Sequence, residues 1–475
     1  MSGSIVLRNI ASRLGAKFVG NGLAFAASIL LIRYLGAERL GQYHYASTFA
    51  SIFGLLAGLG LPILLTRDAA RDKAGAGAML GAVMSLQALL SLLAFALITV
   101  AAAAFNPWEL ALPIVILGLG VAVNALATPY VAMLNAFEHM HLSSAIDTVS
   151  NLVRVGLILG AVQLGVGIVG LVTLLVLNPI VYLALAKNAS DRYCVRPVAG
   201  LAAARLKGLL VASVPFALMV VFNNLYLRID VIMLQKMQGD TAVGVYSAAY
   251  RLIDVFLLVG ANIAGVLYPR MASEARGPEG ALRHTVERLF RYMTAIGIPV
   301  AVTIAILASE IVPMLFGEAF RDSVLPLEIL IWAIALIFMA LPLAHCLNAT
   351  GHEWRWITIL GVNTALNVGL NLVLIPAFGV IGAAVSTVAC EGVGLGLLLR
   401  FSRPVVAVRA LPTVIPVSLA AAIMAAPLWY FGPAHAWAGL AAAAPLYAAA
   451  LYVCGFWTAE ETLVMRRLFA PSALR

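Results

Sequence analysis

Long apolar runs, broken only briefly, follow one another along nearly the whole chain. A helix needs about 20 apolar residues to cross the hydrocarbon core of a bilayer. Hydrophobic residues fill 63% of the 475 positions and charged residues only 11%, whereas a soluble domain carries about 25% charged residues. We therefore predict an all-α polytopic membrane protein with short loops. This excludes a large extramembrane catalytic domain, and the net charge of +9 is not attributed to nucleic-acid binding.

About fourteen crossings are predicted between breaks at Gly, Pro or charged residues. They lie at residues 10–34, 40–65, 78–105, 111–136, 143–163, 167–187, 208–236, 242–268, 289–314, 325–348, 355–375, 379–400, 411–431 and 436–457. A basic, polar break follows the sixth crossing. The predicted domains are an N-terminal six-helix lobe at 1–190, a cytoplasmic linker at 191–207, a C-terminal six-helix lobe at 208–405, and an extra helix pair with a cytoplasmic tail at 406–475.

The distribution of Lys and Arg predicts the orientation, because these residues are enriched in cytoplasmic loops. With a cytoplasmic N-terminus, 23 of the 30 basic residues fall in cytoplasmic segments, and only Arg33, Arg39, Lys236 and Arg321 fall in the opposite loops. One missed or extra helix would destroy this alternation. Both termini are therefore predicted to be cytoplasmic.

Two interpretations are open for the longest cytoplasmic stretch, Met271 to Arg291. Val286, Leu289 and neighbouring apolar residues recur at helical spacing opposite charged residues. This pattern favours an amphipathic helix lying on the inner membrane face. The alternative is a solvated linker that extends the ninth crossing.

The second half of the chain resembles the first. At a shift of 203 residues the matches are Gly36 with Gly239, Gly41-x-Tyr43 with Gly244-x-Tyr246, and Arg67 with Arg270; at a shift of 213 they are Leu134-Asn135-Ala136 and His139 with Leu347-Asn348-Ala349 and His352. Six crossings return the chain to the side of the membrane on which it began, so both six-helix repeats start on the same side. The two repeats are therefore predicted to be parallel and to surround a central cavity. Transporters with such repeats bind substrate between the halves, near mid-membrane.

Charged residues inside the predicted crossings are candidates for function, because a charge at the bilayer centre costs about 2.5 to 3.5 kcal/mol on insertion scales. The six candidates are Arg154, Arg228, Asp230, Arg251, Asp254 and Glu391. At a rise of 1.5 Å per residue, Arg228 and Arg251 are placed about 12 and 13 Å deep on consecutive helices. If these side chains point inward, they form a cationic chamber with acidic residues at its edge.

Structural ion pairing is the alternative to a binding role for these charges. Arg251 and Asp254 are three residues apart and share a helix face, so they can neutralise each other. Arg228 and Asp230 are two apart and need partners on other helices. The chemistry of arginine favours binding, since the guanidinium is permanently charged and offers paired donors to phosphate.

Amide side chains add to the candidate set. Asn363, Asn367 and Asn371 form one stripe at spacings of four on an otherwise apolar helix, and Asn223 and Asn224 lie together on the seventh crossing. Such amides either pair across helices as packing contacts or donate to sugar hydroxyls or a lipid headgroup. The spacing of these amides is compatible with both packing and binding.

Several chemistries are missing from the sequence. There is no G-x-x-x-x-G-K-[ST] phosphate loop and no H-E-x-x-H or other metal-ligand spacing, and the four cysteines are widely separated without a C-x-x-C pair. We therefore predict a transporter without catalytic, metal or cofactor sites. Its energy source would be an ion gradient, the membrane potential or the gradient of the substrate.

Specific phrases, in a distinctive order along almost the whole chain, resemble bacterial polysaccharide flippases of the multidrug/oligosaccharidyl-lipid/polysaccharide exporter superfamily. They are Arg33–Tyr43 (RYLGAERLGQY), Gly244–Leu252 (GVYSAAYRL), Tyr268-Pro269, Leu347–Gly351 (LNATG), Asn371–Pro376 (NLVLIP) and Gly379–Ala384 (GVIGAA).

This resemblance implies that an undecaprenyl-pyrophosphate-linked oligosaccharide moves from the inner to the outer leaflet of the bacterial plasma membrane by alternating access. The product would serve O-antigen, capsule or exopolysaccharide assembly, with polymerase and chain-length proteins as partners. Arg228 and Arg251, with Arg154 and the amides, would hold pyrophosphate and sugars. Asp230, Asp254 or Glu391 would take up a coupling proton or sodium ion.

Three other functions are weighed against this one. A lipid-linked peptidoglycan-precursor flippase has a similar architecture and also uses a cationic cavity, although the phrases match the polysaccharide branch better. An organic-cation exporter would require an acidic chamber, which three central arginines disfavour. A membrane-embedded glycan polymerase would carry catalytic groups in a long outer loop, whereas the longest predicted outer loop, around 310–328, is short.

Overall fold

The computed structural model describes residues 3–198, 203–278, 280–431, 436–457 and 461. Every regular element in these ranges is helical. The helices are α1 (Gly3–Gly58), α2 (Leu61–Arg71), α3 (Ala76–Phe105), α4 (Trp108–Ala136), α5 (Met140–Gln163), α6 (Ile168–Leu175), α7 (Leu177–Tyr193), α8 (Ala203–Gln238), α9 (Asp240–Glu274), α10 (Ala281–Phe316), a 3-10 helix (Glu318–Ser323), α11 (Val324–Ala349), α12 (Glu353–Ser402), α13 (Leu411–Phe431) and α14 (Ala436–Val453). The all-α polytopic prediction is confirmed.

Eleven helical spans of the described chain are long and apolar enough to cross a membrane. Two of them, Gly22–Arg71 and Glu353–Ser402, are each 50 residues long and contain a glycine with non-helical angles. Gly36 has φ 68° and ψ 175°, and Gly379 has φ 57° and ψ −130°. Glycine tolerates positive φ because it lacks a Cβ, so each long span folds into two segments. Together with α14, this gives the fourteen segments that the apolar runs predict.

The structure corrects three details of the predicted helices. The second crossing is interrupted at Leu59 and Gly60, which both have positive φ, and the sixth is divided into α6 and α7.

Residues 281–291 are the first turns of α10, and Val286, Leu289 and Phe290 are buried in the core. Among the described residues, 281–291 extend the ninth crossing, as the alternative predicts. The burial of their apolar side chains shows that this segment is neither a solvated linker nor a separate helix on the membrane face. The predicted tail with Arg466, Arg467 and Arg475 lies outside the described residues.

Two compact units make up the chain, Met1–Ser247 and Ala248–Arg475. In the first unit α4 packs on α1, α3 and α7, and α8 packs on α1. In the second, α11 packs between α10 and α12, and α13 packs on α10 and α14. The lobe boundaries at 190 and 208 stay a prediction.

Turns in the two halves repeat the same local geometry. Glu138 (φ 65°) and Gly351 (φ 74°), which are 213 residues apart, both have positive φ. The His139 amide donates to the Leu134 carbonyl at 2.8 Å, and the His352 amide donates to the Leu347 carbonyl at the same distance. These identical helix ends support the internal repeat.

Equivalent glycines of the repeat also meet inside the first unit. A Cβ added to Gly41 would overlap the Asp240 carbonyl oxygen, and a Cβ added to Gly244 would overlap the Ala37 carbonyl oxygen. Both partners are related by the same shift of 203 residues. Small residues allow helix backbones to approach this closely in membrane proteins, so the Gly-x-Tyr repeat marks a reciprocal contact between α1 and the start of α9.

Candidate functional site

A cavity of about 580 Å³ lies within the first unit. Segments of α1 to α7 form its walls, and Val220 of α8 contributes one apolar group. The polar side chains that line it are Tyr43, Ser47, Ser51, Gln87, Asn124, Thr128, Arg154 and Asn178. No aspartate or glutamate lines it among the residues that the structure describes. The lining is therefore neutral and polar apart from one cation.

The second segment of α1 places three hydroxyl groups on the cavity wall. Tyr43, Ser47 and Ser51 are four residues apart, so they share one helix face. The Ser51 hydroxyl donates to the Ser47 carbonyl at 2.7 Å, and its oxygen can still accept a hydrogen bond. A Cβ added to Gly54 on this helix would overlap Val121 of α4, so glycine allows the two walls to pack closely.

Arg154 is the predicted site residue that the structure places at this cavity. It extends from α5, its side chain is exposed, and its Nη2 donates to the Tyr43 hydroxyl at 3.5 Å. Tyr43 itself is buried, and its hydroxyl is neutral. The Arg154 charge therefore lies at a cavity wall beside an uncharged hydroxyl group.

Neutral amides also line the cavity. Gln87 is fully buried, and its Nε2 donates to the Ala125 carbonyl at 2.6 Å and to Thr128 Oγ1 at 3.0 Å. Its Oε1 is buried without a hydrogen-bond partner in the described structure. Asn178 accepts from the Ser150 hydroxyl at 3.0 Å, which leaves the Asn178 nitrogen as a donor.

The remaining candidates of the first unit lie on α8, outside the cavity lining. Asn223 and Arg228 are exposed, and Asn224 Nδ2 donates to the Val220 carbonyl of its own helix at 2.9 Å. Asp230 is 4% exposed and accepts a hydrogen bond from the Tyr246 hydroxyl. Asp230 is therefore a buried, hydrogen-bonded carboxylate, whereas Arg228 is exposed.

Candidates of the second unit include an ion pair. Arg251 Nη1 lies 3.4 Å from Asp254 Oδ2 on α9, with both side chains partly exposed. This is the neutralising pair that the spacing of three residues allows. Glu391 on α12 is half-buried and has a partner of its own.

The asparagine stripe of α12 faces the second segment of its own helix. Asn363, Asn367 and Asn371 are 5%, 2% and 0% exposed. Asn371 Nδ2 donates to Asn367 Oδ1 at 3.0 Å, and a Cβ on Gly394 would overlap the Asn363 amide. These contacts correspond to the packing interpretation of the stripe, in which amides hold two membrane segments together.

Most of the cavity lining was not among the predicted site residues. Ser47, Ser51, Gln87, Asn124 and Thr128 are uncharged, so a search for membrane charges passes over them. A sequence signal does exist, because Tyr43, Ser47 and Ser51 recur every four residues, and so do Asn124 and Thr128. That spacing identifies a shared face but not whether the face borders a cavity or a neighbouring helix.

Residues 6–274 match the family described as polysaccharide biosynthesis protein. This is more than half of the chain. The chain belongs to this family. Residues 215–374 also match the MatE family. The polysaccharide biosynthesis match includes every helix that lines the cavity, so the site lies within the shared part of the family.

The chain is also similar to other proteins and to solved structures. A probable low-salt glycan biosynthesis flippase of Haloferax volcanii is 21% identical over 399 residues, which cover 83% of each chain. An uncharacterised membrane protein of Methanocaldococcus jannaschii is 31% identical over 164 residues; the match spans about a third of either protein, 34% of this chain and 32% of the relative. A solved structure described as the lipid II flippase MurJ in an inward closed conformation aligns with a TM-score of 0.79 at 12% identity, covering 97% of this chain and 100% of that one. At this identity the likeness shows a shared fold.

Proposed function

We propose that this protein is a flippase that moves a lipid-linked glycan across its membrane by alternating access. The polarity of the cavity carries the proposal, because one guanidinium and a set of hydroxyl and amide groups line it and no carboxylate does among the described residues. Arginine binds phosphate and carboxylate groups through paired, charge-assisted hydrogen bonds. A cation at membrane depth commonly marks a substrate path.

The family and its relatives support a glycan as the cargo. The family description names polysaccharide biosynthesis, and the relative that covers most of this chain is described as a probable glycan biosynthesis flippase. Within this function, the specific cargo that we propose is an undecaprenyl-pyrophosphate-linked oligosaccharide. It would move from the inner to the outer leaflet of a bacterial plasma membrane and supply a polymerase and chain-length machinery that build O-antigen, capsule or exopolysaccharide.

The candidate residues divide by their surroundings into different roles. Arg154 would contact the anionic part of the cargo, with Arg228 as a second, exposed cation. Arg251 is less available, since Asp254 lies 3.4 Å away. Asn223 and Asn224 remain candidate sugar contacts, and the buried amides of α12 are better suited to packing.

Ion coupling is assigned first to Asp230 within this proposal. Its carboxylate is buried and accepts hydrogen bonds from the Tyr246 hydroxyl and, at 2.8 Å, from the Val231 amide. Gain of a proton or sodium ion would change the charge of this buried group, and a buried group whose charge changes can bias two conformations. Asp254 and Glu391 are the alternative acidic sites.

Two other cargoes fit the structure less well. An organic cation would be expected to bind beside a carboxylate, and the described cavity lining has none. The lipid II flippase likeness is at 12% identity, which supports the architecture and not a peptidoglycan cargo.

Deletion of the gene and complementation test the proposal in cells. The deletion strain should accumulate lipid-linked oligosaccharide on the cytoplasmic side, and the wild-type gene should reverse this. Arg154→Gln, at equal protein levels, should restore at most about a tenth of surface polysaccharide, because about 1.4 kcal/mol of lost binding is a factor of ten.

Arg321→Gln is the matched control for the loss of one positive charge. Arg321 is exposed and pairs with Glu318 on the 3-10 helix, away from the cavity lining. This variant should complement fully. Full complementation by Arg154→Gln as well would contradict the binding role, and a deletion strain with unchanged oligosaccharide lipids would contradict the transport function.

A further inference from the structure

Helix α10 of the second unit contains a proline near its middle. The helix runs from Ala281 to Phe316 and includes Pro299, with Pro313 in its last turn. Proline has no backbone N–H, so Pro299 cannot donate the helical hydrogen bond to the carbonyl four residues earlier, which belongs to Ala295. Inside a membrane no water replaces that donor, and a neighbouring helix or side chain must supply one. Pro299 is therefore a point at which α10 bends more easily and at which one carbonyl needs an outside donor.

Tyr447 of α14 supplies that donor. Its hydroxyl donates to the Ala295 carbonyl at 2.8 Å, although the two residues are 152 positions apart in the sequence. The Tyr447 side chain is half-buried and packs against the apolar cluster that joins α10 to α13 and α14. The C-terminal helix pair thus satisfies the carbonyl that Pro299 leaves without its helical donor.

The same helix pair contacts α10 beyond the proline. Leu307 of α10, Met424 and Leu428 of α13, and Ala443 of α14 form one buried apolar cluster. Leu307 follows Pro299 by about two helical turns. These contacts hold the second half of α10 against the pair.

A polar contact holds the first half of α10 to the segment that follows α14. Arg291 Nη2 lies 3.0 Å from Glu461 Oε2, and the Tyr292 hydroxyl donates to Glu461 Oε1 at 2.6 Å. The Arg291 guanidinium also donates to the Phe456 carbonyl and lies over the Phe456 ring, 4.9 Å from its centroid. The side chains of the Arg291–Glu461 pair are only 21% and 14% exposed, so salt screens this pair less than an ion pair on an open surface.

A cavity of about 350 Å³ borders Pro299. It is lined by one residue of α9 and five of α10, namely Phe256, Ile296, Pro299, Val300, Thr303 and Ile304. Close-packed protein interiors resist movement, whereas open space beside a helix leaves room for it to bend. The missing hydrogen bond and the space for movement therefore occur at the same place on α10.

We propose that α10 bends at Pro299 and that the helix pair α13–α14, with the segment that follows it, is a brace across this hinge. The brace contacts α10 before the hinge through Glu461, at the hinge through Tyr447 and after it through Leu428. The Tyr447–Ala295 hydrogen bond stabilises the present form of α10, and its loss lets the two halves move more freely. The brace is independent of the cargo, and its part in transport rests on the proposed function.

A double-mutant cycle between Tyr447 and Pro299 tests the brace, with hydrogen–deuterium exchange of the full-length protein in nanodiscs as the measurement. Tyr447→Phe should raise the exchange rate of residues 295–306 about fivefold, because α10 loses a hydrogen bond at the hinge and opens more often. Pro299→Ala introduces the missing N–H, so Tyr447→Phe should then raise the rate less than about twofold. Equal effects of Tyr447→Phe with and without Pro299→Ala would overturn the inference.

Two further comparisons keep Pro299 in place, so they remain valid even if Pro299→Ala does not fold. Tyr452→Phe is the matched control for Tyr447→Phe, since Tyr452 lies on the same helix and is 54% exposed; it should exchange as the wild type. Glu461→Ala should raise the exchange rate of residues 284–294 about threefold, whereas Glu318→Ala, which removes the exposed partner of Arg321, should not. Exchange at the control level in Tyr447→Phe or in Glu461→Ala would overturn the brace.

Transport in proteoliposomes distinguishes failure of the hinge from failure of the flippase function. Pro299→Ala should lower the rate of lipid-linked glycan movement at least about fivefold, because a stiffer α10 slows the conformational step, and Tyr452→Phe should not. If Pro299→Ala moves the lipid at the wild-type rate, bending at Pro299 takes no part in transport and the hinge is wrong, while the flippase function stands. If the wild type moves no glycan lipid, the proposed function is wrong, and hydrogen exchange still decides whether the brace exists.

Discussion

The charged residues inside the membrane segments differ most in the groups that surround and neutralise their charges. Arg251 has a carboxylate 3.4 Å away, whereas Arg154 lies at the wall of a cavity and contacts a neutral tyrosine hydroxyl. Asp230 is an acidic counterpart, buried and bonded to Tyr246. The sequence alone does not distinguish these three charges, whereas the structure places them in three different surroundings.

Tyr246→Phe and Asp230→Asn should have different effects on stability. Removal of the Tyr246 hydroxyl leaves a buried carboxylate with one donor fewer, which should cost about 1–3 kcal/mol. Asp230→Asn keeps an oxygen that accepts from Tyr246, so its stability should stay closer to the wild type, while transport should lose its dependence on a proton or sodium gradient.

Thermal unfolding in detergent and transport with an imposed gradient measure these effects. Tyr452→Phe is the matched control, since Tyr452 is 54% exposed. An unfolding midpoint for Tyr246→Phe equal to that of the control would show that the Tyr246–Asp230 bond does not stabilise the protein.

Among the helices, close contacts at glycine residues determine which helices pack together. Apolar surfaces alone do not favour one neighbouring helix over another. Gly41 and Gly244 lie against the backbone carbonyls of Asp240 and Ala37. Gln42 Nε2 donates to Asp240 Oδ2 at 3.3 Å beside this contact. The α1–α9 contact therefore combines backbone approach with a polar link.

Gly41→Ala and Gly244→Ala should each destabilise the protein by about 1–3 kcal/mol, because an added methyl group forces two backbones apart. The two effects should be similar, since the contact is reciprocal. Gly369→Ala is the matched control, because a Cβ there meets nothing within 4 Å. Thermal midpoints of the three variants, compared with the wild type, check this; a midpoint for Gly41→Ala at the control value would contradict the contact.

The number of membrane segments and the repeat could be predicted from the sequence. Apolar length determines a crossing, and Gly36 and Gly239 both carry the positive φ that their aligned turns require. The cavity could not be predicted in the same way. Nearly every face of helices such as α3 and α4 is apolar, so the orientation of Gln87 or Thr128 depends on packing between helices. The asparagine stripe shows the same limit, since its spacing is equally suited to a cavity and to the Gly394 segment that it contacts.

In the molecule as a whole few residues are charged, so the charges inside the membrane segments determine which groups the protein can bind there. The chain is a helical membrane protein of the polysaccharide biosynthesis family, and its first unit contains an open cavity lined by one guanidinium and by no described carboxylate. Within the proposed function, the apolar exterior keeps the protein in the bilayer and the polar cavity accepts a hydrophilic, anionic group. Within this function, the Arg154 charge contributes to movement of the cargo.

Flipping of a lipid-linked oligosaccharide by purified protein in proteoliposomes measures that contribution most directly. A labelled glycan is scored by its access to an added, membrane-impermeant glycosidase. Wild-type protein should raise the flipping rate at least about tenfold over protein-free liposomes, and Arg154→Gln should return it close to the protein-free rate, a loss of about 1.4 kcal/mol or more. A wild-type rate equal to that of empty liposomes, or an Arg154→Gln rate equal to the wild type, would contradict the account.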